Sequence, residues 1–181
     1  MALKSGFYNA FELNGSYDRE YDANVYSDFF SAFLRDGVRR SGLDDFKVSA
    51  SGMEISVGAG YAIVGGKWIH NEASFPLGSI TAPVGDFSRI DGVFLRADSS
   101  DPVRDASLIL RQGVASSSPV VPSKEETDEA KEILLATILV KAGATSVSVT
   151  DTRADKAVCG WITSPVGYDE YFESLDRNFS D

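Results

Sequence analysis

The spacing of apolar positions changes twice along the chain, and each change marks a change of structure. Val25, Tyr26, Phe29, Phe30 and Phe33 recur at i, i+3 and i+4, which lines one face of a helix with apolar groups. Asp22 stands where an N-cap belongs, and Gly37 where a C-terminal stop belongs. The pattern predicts a helix over 23–35. Ahead of it, the segment through Tyr21 is rich in Tyr, Asn and Gly and carries no period.

From Phe46 the period becomes two. Phe46, Val48 and Ala50 alternate with polar neighbours, Ser51-Gly52 reads as a tight turn, and Met53, Ile55 and Val57 alternate on the return. A second hairpin follows, 61–64 and 67–70 about Gly65-Gly66. The stretch 76–88, with Pro76 and Pro83, reads as loop. Strands are expected at 90–97 and 106–112, joined by the polar turn Asp98-Ser-Ser-Asp-Pro102. The Ser/Pro-rich and then acidic run 113–127 reads as a long surface loop. The run 133–140 is apolar on every side, which fits a strand buried on both faces and also fits a buried helix. Ser123-Lys-Glu-Glu126 resembles a capping box and favours a helix over 124–140. Strand is the preferred reading of 133–140, followed by a β-like stretch at 146–149. Near the end, Phe172, Leu175 and Phe179 lie at helical spacing, so a short amphipathic helix is expected there.

The expected fold is therefore mainly β: a sandwich or barrel-like domain of short antiparallel strands, with an N-terminal amphipathic helix and a short C-terminal helix. Residues 1–45 form an arm and helix, 46–163 the β-rich domain and 164–181 a helical tail.

Composition narrows the function. The 181 residues are 43% hydrophobic and 24% charged, with a formal net charge of −10. A chain of that sign repels phosphate backbones and anionic membrane surfaces. The single cysteine, Cys159, allows no internal disulfide and no cysteine zinc site. The beginning has no apolar stretch of signal-peptide type. No cofactor is expected.

Candidate chemistry is sparse. A Ser-His-Asp site needs His70, the one histidine, yet no Gly-x-Ser-x-Gly elbow presents a nucleophile. His70 is better read as a rim residue on the same side of its strand as Trp68. Asp98, Asp101 and Asp105 cluster like calcium ligands, but lack EF-hand spacing and read as solvated turn residues. Tyr61 and Trp68 suit an aromatic sugar platform, against the commoner reading of strand aromatics as core. Arg89, Asp91, Arg96, Asp151 and Arg153 are set among apolar residues, where arginine–carboxylate pairs pin loops to a sheet.

One set of motifs runs through most of the chain. It includes Ser5-Gly-Phe-Tyr-Asn9, Tyr17-Asp-Arg-Glu-Tyr-Asp22, Gly37-Val38, the strand from Met53 to Gly60 and Gly65-Gly-Lys-Trp-Ile69. It continues with Arg89-Ile-Asp91, Val93 and Arg96, then Leu135-Ala136, Lys141-Ala-Gly-Ala-Thr145, Thr150-Asp-Thr-Arg153 and Cys159-Gly160. In this order the chain resembles the N-terminal domain of baseplate and tail-appendage proteins of long-tailed phages of Gram-positive bacteria and related prophages. The resemblance implies a β-rich scaffold that anchors receptor-binding parts, assembles as a trimer and meets other tail proteins. It also implies synthesis in the host cytoplasm and incorporation into the virion tail, with no enzymatic activity. Phe29, Phe30 and Phe33 are then assembly candidates. The competing expectations are a carbohydrate-binding module for host wall glycans, using Tyr61 and Trp68, and a small glycosidase or esterase.

Overall fold

The computed structural model describes residues 8–17, 21–41 and 44–164. The protein is mainly β, and every named strand pair is antiparallel. The expected C-terminal helix at 169–179, with Phe172, Leu175 and Phe179, lies outside the described residues.

A small hairpin of β1 (Glu12–Leu13) and β2 (Ser16–Tyr17) precedes α1 (Ala23–Phe33), the one helix among the described residues. Asp22 caps α1, accepting from the amides of Asn24 and Val25. The helix stops two residues short of the predicted bound, because Leu34 turns to an extended conformation. Gly37 is not its stop. It opens β3 (Gly37–Val38), with φ +155°, where a Cβ would stand 2.6 Å from the Gly160 carbonyl oxygen.

The apolar face of α1 is not the face that is buried. Ser27 is the buried residue of α1, while Phe29, Phe30 and Phe33 are 41%, 41% and 48% exposed. Polar contacts with the β-hairpin behind it decide which face docks. Lys67 donates to Ser27 Oγ at 2.8 Å. Gly66, at φ +70°, comes so close that a Cβ would stand 2.2 Å from the Ser27 carbonyl oxygen.

Three further hydrogen-bonded sheets follow among the described residues. β4 (Val48–Ser51), β5 (Glu54–Val57) and β8 (Phe75–Ser79) form one, and β3, β6 (Gly60–Val64) and β7 (Lys67–Asn71) another. The largest has the order β10-β9-β11-β12, from β9 (Arg89–Asp98), β10 (Asp105–Arg111), β11 (Ala130–Val140) and β12 (Ser148–Asp151). β8 runs through part of the expected loop 76–88. Pro76 is tolerated there because β8 is an edge strand, and the register shifts beside it, between Ile55 and Ser56. β4 starts at Val48 rather than Phe46, since Phe46 holds a φ of +52°.

The run 133–140 is strand, inside a longer β11. Its continuous burial comes from β9 and β12 on either edge and from apolar neighbours on its faces. Lys124 and Glu125, read above as part of a capping box, belong instead to the loop before β11. One core joins the three larger sheets: Val38, Phe46, Ile55, Val57, Leu95 and Leu135 are all buried in it. Each such side chain contributes about 1.5–3 kcal/mol on leaving water.

Candidate functional site

Three Arg–Asp pairs share one geometry. Residues two apart on a strand lie on the same face, which sets the two pairs within β9, while Arg153 folds back onto Asp151 from the turn after β12. Arg89 Nε donates to Asp91 at 2.9 Å, Arg96 Nη2 to Asp98 at 2.8 Å and Arg153 Nη2 to Asp151 at 2.6 Å. Each guanidinium then reaches a segment distant in sequence. Arg89 donates to the Thr81 carbonyl, Arg96 to Glu125 and Arg153 to the Asp45 carbonyl, at 2.7, 2.6 and 2.6 Å. The five charged residues singled out in the sequence thus fall into three separate cross-links, not one site. Arg153 holds the Asp151 carboxyl below the usual carboxylate range.

Glu132 is the hub that the sequence did not reveal. Its side chain is fully buried on β11 and accepts from Arg111 through both oxygens, at 2.9 and 2.7 Å. It also accepts the Glu125 amide at 2.7 Å, and Arg96 lies 3.4 Å away. Burial pushes its pKa up, but the hydrogen bonds from Arg111 and the Glu125 amide outweigh that and hold it below the usual range. Arg111 lies over the Phe94 ring and also donates to the Ser123 carbonyl. The loop 113–127 is tied down along its length, since Gly113 donates to Asp91 and Ser116 to Ser88. The one available signal was the cross-strand register of Glu132 with Arg96, which needs the pairing before it can be read. Arg39 and Asp45 form a further unforeseen pair at 2.9 Å, and Asp45 also accepts the Tyr61 amide.

Asp98, Asp101 and Asp105 do not converge. Asp98 accepts from Arg96 and from Ser100, whose hydroxyl and amide are the main reason its pKa is lowered. Asp101 pairs with Arg104, and Asp105 accepts the Ala106 amide. Among the described residues no group of three His, Cys, Asp or Glu side chains is placed to hold a metal ion.

The hairpin aromatics are not core. Trp68 is 71% exposed and Tyr61 37%. Tyr61 stacks on His70, its cross-strand partner, with centroids 3.9 Å apart, and Arg39 lies over the same ring. Trp68 instead stands at the rim of a cavity of about 540 Å³, between the exposed edge of β7 and the edge of β10. Cys159 is buried and its thiol is pushed up to about 12 by desolvation.

No protein-family model, no curated protein and no solved structure matches the chain.

Proposed function

We propose that the protein is a structural component of a phage or prophage tail baseplate or tail appendage, anchoring host-recognition parts by assembling as a homo-oligomer, a trimer in the simplest case. The observation that carries this reading is the orientation of α1. The helix meets its own sheet through Ser27 and Lys67, and leaves Phe30 and Phe33 about half exposed. Symmetric association covers such faces on every copy at once. The cross-links at Arg89, Arg96 and Arg153 suit a scaffold that has to hold its shape under load. The sequence resemblance points to the same role, and that role requires neither turnover nor a cofactor. In this reading the antiparallel sheets wrap their common core as a sandwich or barrel-like unit. A second reading, a carbohydrate-binding module for host wall glycans, is favoured by the exposure of Trp68 alone. Light scattering at two concentrations separates the two readings. A concentration-independent mass three times that of the 19.5 kDa chain is expected, and a monomer at both concentrations overturns autonomous assembly.

A further inference from the structure

We propose that the groove between the edges of β7 and β10 docks an extended, basic peptide strand of another protein. Sheet order places β7 at the end of one sheet and β10 at the end of another. Two cavities of about 540 and 520 Å³ lie between them and share Trp68, Ile69, Asp105 and Ala106, so they run together as one groove. The walls are runs of consecutive residues, 68–71 on one side and 105–108 on the other. Successive side chains on a strand point to opposite faces. A cavity touched by consecutive residues therefore meets the strands edge-on, where their outward amides and carbonyls lack a ladder partner among the described residues. An added strand supplies those bonds from its main chain.

The rest of the groove suits the same occupant. Its floor includes Phe46 and Leu95, each 1% exposed, and its rim carries Trp68 and Phe75. Alternate side chains of an inserted strand meet that apolar floor. β7 is five residues long, about 16 Å at roughly 3.3 Å per residue, which is room for a strand of similar length. The polar side chains of the β7 wall are already engaged: His70 stacks on Tyr61, and Asn71 donates to the Gly58 carbonyl at 2.9 Å. That leaves the main chain as the recognition element and disfavours a sugar. Asp105, exposed on the opposite wall, makes no ion pair among the described residues and accepts only the Ala106 amide. The net charge of −10 favours a basic partner strand at this edge.

The test is a titration of the full chain with a synthetic nine-residue peptide that alternates valine with lysine and threonine, read by tryptophan emission. Three further titrants are the same peptide N-methylated at alternate amides, a version with glutamate for lysine, and chitotriose. Trp68→Phe identifies the reporting residue, with calorimetry as the second readout. The expected result is a saturable blue shift with the basic peptide that disappears in Trp68→Phe, while calorimetry still detects binding. At least tenfold weaker binding is expected for the N-methylated and glutamate versions. The proposal is overturned by no shift with the basic peptide, by equal binding of the N-methylated peptide, or by a response to chitotriose alone, which marks a sugar platform.

Discussion

On the β9–β12 sheet the aromatic is inside and the charges are tied down over it: Phe94 is fully buried, with the Arg111 guanidinium across its ring and Glu132 clamping Arg111. At α1 the arrangement is reversed. A serine and a lysine make a contact, and Phe30 and Phe33 remain about half exposed. The two regions have similar residues available and use them differently. The sheet hides its apolar groups within one chain and cross-links the loop that covers them. In the proposed reading the helix keeps Phe30 and Phe33 for an association outside its own chain. Under the proposed assembly, cross-linked charge marks where the protein is self-sufficient, and the exposed aromatics mark where it meets a partner.

Removing the clamp has the largest expected effect. Glu132→Ala leaves the Glu125 amide without its acceptor and Arg111 with the Ser123 carbonyl but no carboxylate, and should destabilise the chain by about 3 kcal/mol. Denaturant unfolding measures this, and a loss near zero breaks the claim that the sheet depends on its charges. Acid should act on the same groups. Glu132 and Asp151 have folded pKa values below their ordinary ones. Their contribution is thus fully present above the ordinary carboxylate range and is lost as pH falls below about 4. Unfolding midpoints measured from pH 7 to pH 2 should fall most steeply in that acid window, and less so in the Glu132→Gln variant.

Gly66→Ala should act on the other region. The added carbon collides with the Ser27 carbonyl, and the backbone there is left-handed, a combination that costs about 1–3 kcal/mol. The prediction is that α1 becomes protease-sensitive while β9 and β11 keep their slow amide exchange. Uniform loss of protection would show that helix and sheet form one unit. The smallest expected effect is at Cys159. Burial and the raised thiol pKa should leave it unreactive toward a thiol reagent at pH 8 until the chain unfolds.

The hairpin about Gly65 and Gly66, the strand β9 and the cap at Asp22 were legible in the sequence, whereas the run 133–140 within β11 fitted strand and helix alike. The first three rest on local periodicity or turn chemistry. The face on which α1 docks was not legible, because it depends on Lys67 and Gly66, distant in sequence, and a helical wheel shows only the phenylalanines. β8 was hidden by Pro76, which reads as a breaker until the strand is known to lie at an edge. Arg89, Asp91, Arg96, Asp151 and Arg153 stood out through their apolar flanks. Glu132 did not, since its partners come from strand register and from a loop folding back.

The central claim is that the outward face of α1 is the surface on which the protein assembles. Sedimentation of the Phe30→Glu/Phe33→Glu double variant beside the parent chain tests it most directly. The account predicts a trimeric parent, and a monomeric variant whose β-sheet unfolds at the same denaturant concentration as that of the parent monomer. A variant that keeps the mass of the parent, or a parent that is itself monomeric, contradicts it.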